Sequence, residues 1–344
     1  MESKKTVSFS RNAGNIFFHI LTRCNLRCRH CYINPGQHGE NTLPIGTIET
    51  WLAAFAGKSR VANVIFLGGE PTLHPELSHA IKAARRLGYE SVTVDTNGYL
   101  FHDILSKVSP DEVDYFSFSL DGATRDINDS LRGEGCYDRC IAGIRKAADR
   151  GFGTSLIYTV SRANIHELEF MPSLLKELGI HRFFIQIIGI RGNSAAHAEN
   201  LQVSREEWLC TIPRVAENAA ALGITATYPK VFLNPDEAFE CAGLAADNYF
   251  IFPNGRVYRC PLCEDFPLHS LRFEGNNLVQ TEKINENDLF ALSIPEGCVM
   301  NKLIQPGNLK PEMTYKIACC MLKEEISFRL PDTVASAIVL TGFI

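Results

Sequence analysis

Asn15-Ile-Phe-Phe-His-Ile20-Leu21-Thr-Arg-Cys24-Asn-Leu-Arg-Cys28-Arg-His-Cys31-Tyr-Ile33 joins an apolar run to a loop that carries three thiols. Ile16 to Leu21 is rich in β-branched and aromatic residues and predicts a short strand, so the thiols hang on the loop leaving its C-terminal end. Thiolates this close in sequence converge on one soft metal centre. A cubane iron–sulfur cluster usually has four cysteine ligands, and three leave one iron free to bind something else. A mononuclear zinc site is the competing reading; it wants a fourth protein ligand, and His30 lies wedged between Cys28 and Cys31. Inert cysteines seldom cluster so tightly on a polar segment.

Further along, short apolar runs alternate with helical patterns. Pro44 to Phe55 has helical spacing, and Ala62-Asn-Val-Ile-Phe-Leu67 reads as a buried strand ending in glycines. Pro75 to Leu87 predicts a helix stopped by Gly88. Ser91 to Val94 and Asp114 to Leu120 predict strands closed by Asp95-Thr-Asn-Gly98 and Asp121-Gly122. Tyr137 to Arg150 predicts a helix, and Thr154 to Val160 a strand. A helix from Asn164 to Leu178 opens with a capping-box pattern through Glu167. Arg182 to Ile188 is a sixth strand, and Ser204 to Leu222 a well-capped helix. This rhythm predicts parallel βαβ units with right-handed crossovers. The fold class is therefore α/β, a partial (β/α)6 TIM-like barrel with its chemistry at the C-terminal strand ends.

From Tyr228 the rhythm changes: Pro, Asn, Asp and Gly become frequent, and six of the twelve cysteines appear. Asn248 to Phe252 and Gly255 to Tyr258 flank Pro253-Asn254 as a hairpin. The expected organisation is a barrel over 1–226, a small cysteine-rich module over 227–326, and an apolar tail over 327–344. That tail is too short to span a bilayer and is expected to pack against the barrel. The chain has 344 residues, 45% of them hydrophobic, and a net charge of -5. It can bury a large core, and without a Lys/Arg block it carries no nucleic-acid surface. With no signal peptide or membrane-spanning run, a cytoplasmic location is expected, where cysteines act as metal ligands rather than staples.

Several polar residues sit at the strand ends. Gly68-Gly69-Glu70-Pro71 combines two glycines, which permit close backbone approach, with a carboxylate able to pair with a cation. Ser117, Ser119 and Asp121 alternate, so they share one strand face and need partners there. Asn97 is a turn residue or a ligand contact; Arg132 is a surface cation or a bidentate carboxylate clamp. Asn164 reads as a helix cap beside Ser161, and Gln186 as a core amide or a lumen contact. Cys136 and Cys140, one helical turn apart, read as small core residues, as does Cys210 beside Trp208.

Cys24-x-x-x-Cys28-x-x-Cys31 resembles the signature of the radical S-adenosylmethionine enzymes. The resemblance implies a 4Fe-4S cluster on these three cysteines, with S-adenosylmethionine chelating its fourth iron. An aromatic residue commonly precedes the third cysteine in that family; here His30 does, and Tyr32 follows. Gly68-Gly69-Glu70-Pro71 resembles the motif that holds the methionine ammonium group. By the same resemblance Ser117, Ser119 and Asp121 would meet the ribose hydroxyls and methionine carboxylate, with Asn97 and Arg132 as further cofactor contacts. Cys241-Ala-Gly243 followed by Gly255-Arg-Val-Tyr-Arg-Cys260 resembles the opening of the SPASM and twitch domains, which carry auxiliary 4Fe-4S clusters. The dense later run of four cysteines is missing, and Cys263, Cys298, Cys319 and Cys320 suffice for one auxiliary cluster. A structural zinc site on Cys241, Cys260, Cys263 and one later cysteine is the alternative.

The implied activity is reductive cleavage of S-adenosylmethionine and hydrogen abstraction from a peptide or small molecule, fed by a low-potential donor such as flavodoxin or ferredoxin. The cysteine loop begins so near residue 1 that no leader-peptide-binding domain is expected ahead of it. The reading from another class is a noncatalytic iron–sulfur electron carrier or redox sensor, against which the Gly-Gly-Glu-Pro motif argues.

Overall fold

The structure, a computed structural model, describes residues 2–5, 13–58, 61–99, 103–292, 294–305, 307 and 315–327. In chain order its strands are β1 (Glu2–Lys5), β2 (Ala13–His19), β3 (Val61–Leu67), β4 (Ser91–Thr96) and β5 (Tyr115–Ser119). Then come β6 (Thr154–Val160), β7 (Arg182–Ile187), β8 (Thr225–Pro229), β9 (Asp247–Ile251) and β10 (Arg256–Tyr258). The last are β11 (Leu271–Glu274), β12 (Asn277–Gln280) and β13 (Lys323–Ser327). They form one sheet ordered β1-β13-β8-β7-β6-β5-β4-β3-β2-β9-β10-β11-β12. From β9 through β2 to β8 every neighbouring pair is parallel, while β13 and β10 turn antiparallel at the two ends. The sheet is an open barrel wall whose ends do not pair with each other among the described residues.

Side-chain alternation decides which face meets the helices. Phe18, Phe66, Val94, Phe116, Phe118 and Leu156 are fully buried, and their neighbours Asp95, Ser119 and Thr159 are only half-buried. The first set packs outward under helices such as Ile45–Ala56, Leu77–Arg86 and Cys136–Asp149, and the second faces the lumen. Burying apolar side chains at about 25 cal/mol per Å² makes that outer layer the main source of stability. A second, smaller core gathers Phe250, Phe252, Tyr258, Cys263, Ala318 and Leu322 in the C-terminal region.

The six expected strands are present, and the parallel run gains a strand at each end, β9 beside β2 and β8 beside β7. The expected boundary near residue 226 falls inside β8, because Thr225–Pro229 pairs with β7 and β13 before the composition shifts. An additional helix, Arg125–Arg132, precedes Cys136–Asp149. The segment expected as one helix from Asn164 is a 3-10 turn over Ile165–Phe170 followed by Met171–Glu177. Glu167 does not close a capping box; it accepts from the Thr124 backbone N–H at 3.1 Å. Ser204 does cap its helix, with Glu207 completing the box. Among the described residues no helix is long and apolar enough to cross a membrane. Residues 328–344, most of the apolar tail, lie outside the described residues.

At the base of the sheet Asn15, Asn63 and Asn248 stand in register on β2, β3 and β9. Asn63 Nδ2 donates to Asn15 Oδ1 at 3.0 Å, and Asn15 Nδ2 donates to Asn248 Oδ1 at 2.9 Å. Shifting either neighbour by one residue would bury unpaired amides, so the ladder fixes the register by which β9 joins the barrel. Asn15→Ala should lower the unfolding free energy by about 1–3 kcal/mol in a urea titration, by orphaning two amides. An unchanged midpoint would mean the ladder carries no stability.

Candidate active site

The cysteine loop is seated by backbone contact. Gly69 N–H donates to Leu21 O and Glu70 N–H to Arg23 O, both at 3.0 Å, directly before Cys24. A Cβ on Gly69 would lie 2.3 Å from Arg23 O, and one on Gly68 would lie 2.5 Å from Leu21 O. The two glycines therefore serve the loop's own backbone. On its other side Arg29 N–H donates to Leu131 O at 2.9 Å, and Asn193 N–H to Cys31 O at 2.9 Å. Gly192 adopts φ +55°, and a Cβ there would meet Cys31 O at 2.5 Å. The ends of β3 and β7 and the Arg125–Arg132 helix thus clasp one loop.

Cys24 lies at the loop's open rim, while Cys28 and Cys31 are half-buried. Burial pushes the Cys28 and Cys31 thiols up, and Arg132 works against it in both cases. Cys24 is within electrostatic reach of Cys28, Cys31 and Glu70. Asn97 Nδ2 lies 3.9 Å from Cys24 Sγ and donates to Asn25 Oδ1 at 3.0 Å, so its carboxamide borders the thiols.

Glu70 is buried, with a Thr72–Thr96–Asn97 shell around it. Its Oε1 accepts from Thr72 N at 3.1 Å, Thr72 Oγ1 at 2.6 Å and Thr96 Oγ1 at 2.8 Å. Its Oε2 accepts from Asn97 N at 2.8 Å. Burial raises the carboxyl against these donors. Pro71 opens the short 3-10 turn that Glu70 caps.

Asp121 departs from expectation. Rather than facing a ligand it is fully buried: its Oδ2 pairs with Arg132 Nε at 2.6 Å and His30 Nε2 at 3.0 Å, and its Oδ1 accepts from Thr159 N at 2.7 Å. Burial opposes its ionisation, but the Arg132 guanidinium and His30 outweigh that and hold the carboxyl at about 2. Arg132 is accordingly committed to Asp121 beside Cys28 instead of reaching out as a free clamp. His30 is occupied by the same carboxylate, which leaves a carboxylate–imidazole pair where zinc ligation was an alternative. Ser117 is buried and donates to Asp95, whose carboxyl is pushed up to about 7 by burial; Ser119 stays half-buried toward the lumen.

The C-terminal cysteines converge although far apart in sequence. Cys241, Cys260, Cys263, Cys298, Cys319 and Cys320 all line one cavity of about 180 Å³, walled by apolar groups such as Leu289, Phe290 and Met300. The Cys319 sulfur accepts from Cys241 and Cys320 and is held below the ordinary thiol range, while those donors are pushed up. Cys260 is likewise raised, first by its hydrogen bond with Cys263 and then by burial. A cavity with six sulfur donors in an apolar wall fits a soft metal cluster and ill suits a hydrated hard cation.

Cys136 and Cys140 are buried against Arg132 O and Ser119 O, as core residues. Cys210 is exposed instead, because two residues along the helix turn it away from buried Trp208. Ser161 and Asn164 bond each other below the strand ends, and Gln186 is exposed at the end of β7. Sequence reading overlooked His19, Tyr32, Asp95, Arg191 and Glu264. Only Tyr32, adjoining Cys31, and Asp95, read in the turn closing the third expected strand but placed inside β4, carried a local signal.

Residues 18–172 match the family model described as "Radical SAM superfamily". Among curated proteins the chain is 30% identical over 178 residues to a protein of Saccharolobus solfataricus described as "Probable GTP 3',8-cyclase", covering 52% of this chain and 58% of that one. It is 28% identical over 204 residues to the Fe-coproporphyrin III synthase of Methanosarcina barkeri, covering 56% and 49% respectively. The chain thus spans about half the length of these curated relatives. Among solved structures, SuiB of Streptococcus suis superposes with a TM-score of 0.66 at 14% identity, over 86% of this chain and 74% of that one. The structure of anSMEcpe with bound AdoMet superposes with a TM-score of 0.56 at 14% identity, over 87% and 84%. At such identities the likeness concerns the fold, a mostly parallel barrel wall.

The Asp121 pair makes a pH-dependent contribution whose sign is fixed by its depressed carboxyl. The stabilisation is complete above an unfolded carboxyl near 3.9 and is lost as pH falls toward about 2. Asp121→Asn should cost about 3–5 kcal/mol at neutral pH by stranding buried Arg132. Denaturant titrations of both proteins should show that gap constant above about pH 4 and shrinking below it. A gap independent of pH would rule out the ionised pair.

Proposed function

We propose, from the match of residues 18–172 to the radical SAM superfamily model, that the chain cleaves S-adenosylmethionine reductively on the Cys24, Cys28 and Cys31 loop. The carrying observation is the seating of three thiols on one loop clasped by the ends of β3, β7 and the Arg125–Arg132 helix. These all-sulfur donors, with a buried cation beside Cys28, suit a 4Fe-4S cluster with one iron open. Such a cluster, when bound, supplies one electron to the sulfonium of S-adenosylmethionine, releasing methionine and a 5'-deoxyadenosyl radical that takes a hydrogen atom from substrate.

The chain's own residues hold and shield this site. Arg132 offsets thiolate charge at Cys28 while Asp121 keeps the guanidinium fixed. Glu70 ties the ends of β3 and β4 together, and its Oε2, which accepts only the Asn97 N–H among the described residues, retains capacity for an ammonium donor. Asn97 and Ser119 offer polar contacts at the rim. The apolar layers behind them keep water from the reacting atoms. In the C-terminal region Cys241, Cys260, Cys298 and one of Cys263, Cys319 or Cys320 would hold an auxiliary 4Fe-4S cluster. Four protein ligands leave it no open iron and suit it to electron transfer.

The substrate class is a peptide or a small molecule. The curated relatives described as a probable GTP 3',8-cyclase and an Fe-coproporphyrin III synthase support the second; a solved SuiB complex with precursor peptide SuiA supports the first. A low-potential flavodoxin or ferredoxin would serve as reductant.

The anaerobically reconstituted chain should form 5'-deoxyadenosine and methionine with dithionite. Replacing Cys24, Cys28 and Cys31 together by alanine should abolish both products, and continued formation would refute the reading. Absence of both products in the iron-loaded native chain would favour a noncatalytic electron carrier. Mössbauer spectra of that triple variant should retain one 4Fe-4S signal, which Cys241→Ala or Cys260→Ala removes. Zinc without residual iron would overturn the auxiliary assignment.

A further inference from the structure

We propose that the Tyr32 side chain is the electronic bridge between the Cys24, Cys28 and Cys31 site and the six-thiol cavity, an inference that rests on the two-cluster reading above. Tyr32 is bonded directly to Cys31 and lies between the cysteine loop and the C-terminal region. Its hydroxyl is 2.7 Å from His19 Nε2, while His19 Nδ1 is 3.2 Å from Ile251 O. A carbonyl cannot donate, so Nδ1 carries the hydrogen and Nε2 accepts from the Tyr32 O–H. The imidazole is itself held, stacked on Phe252 at 4.1 Å, which also stacks with His38 at 4.2 Å and meets Tyr258 edge-on at 5.9 Å. Tyr32 therefore has one orientation.

The opposite contact of the ring leads to the other thiols. The Arg191 guanidinium lies 5.0 Å from the Tyr32 ring centroid, in cation–π range. Its Nη1 donates to Pro261 O at 2.8 Å and pairs with Glu264 at 3.3 Å and Asp265 at 3.4 Å. Pro261 is bonded to Cys260, and Glu264 to Cys263. Bonds and packed contacts thus run from Cys31 through Tyr32 and Arg191 to Cys260 and Cys263. Electron tunnelling falls off more slowly through bonded and closely packed atoms than across a gap. With both clusters held by these thiols, one electron would pass from the reduced C-terminal cluster to the oxidised cluster on the Cys24 loop. Tyr32 is neither oxidised nor deprotonated, and its proton stays on the hydroxyl.

The test uses the full chain, reconstituted anaerobically and reduced by a flash of photoexcited deazaflavin. Freeze-quenched EPR then follows the electron from one site to the other, with signals assigned from C24A/C28A/C31A and C241A/C260A variants. Tyr32→Leu removes the ring and should slow the transfer about tenfold or more, the scale at which partners just outside a metal's ligands act. Tyr32→Phe keeps the ring and should retain most of the rate, which a purely structural role of the hydroxyl would not permit. Iron content and thermal midpoint are measured for each variant. If Tyr32→Leu fails to hold both clusters, Arg191→Met, which leaves Tyr32 in place, should slow the transfer severalfold. An unchanged rate in Tyr32→Leu, or in Arg191→Met where that variant stands in, overturns the bridge. A native chain without iron on its C-terminal thiols overturns it together with the auxiliary assignment, while leaving the Cys24 loop reading intact.

Discussion

The structure depends on a close backbone approach that no side chain could share. Residues 21–23 run so near Gly68 and Gly69 that a single methyl group at either position would collide with a carbonyl oxygen. That approach lets the loop after β2 add two hydrogen bonds to the end of β3. Every other part of the site is built from there: Glu70 reaches across to Thr96 and Asn97, and Asn97 returns to the cysteine loop. A carboxylate that would be costly to bury alone is satisfied by the same contacts that join the strands.

The opposite flank of the loop relies on charge. Asp121, Arg132 and His30 come from β5's end, a helix C-terminus and the cysteine loop, and they meet out of water. Such a group adds little net stability over apolar packing but is severe when incomplete, which makes it a device for one arrangement of the loop. Backbone pairing on one flank and a buried ion group on the other leave the three thiols little freedom.

Much of the barrel was legible because parallel strands and amphipathic helices repeat a local rhythm, and the three thiols, like the two glycines, form a compact motif on consecutive or nearby residues. Thr225–Pro229 escaped notice because it is short, holds two threonines and ends in proline, and its pairing partners lie at Arg182–Phe184 and Lys323–Ile326. Asp121 was visible as a strand-end carboxylate, but its partners were not: His30 is remote in sequence, and Arg132 is turned back onto Asp121 by the unexpected helix Arg125–Arg132. The same holds for Arg191, whose contacts with Tyr32 and Glu264 no local pattern announces, whereas the gathering of Cys241 with Cys319 was expected through the family resemblance alone. Local patterns report which face a residue occupies; partners across tens of residues depend on topology.

The sheet's two margins have a consequence for how the chain is made. β2, nearly the first strand, is flanked by β9, and β8 by β13, the last described strand. Until synthesis has passed residue 327, the nascent barrel carries an unpaired parallel strand at β8, with exposed N–H and C=O groups that invite pairing with another chain. Contacts of such long sequence separation close slowly. The C-terminal region therefore acts as a late seal on both margins.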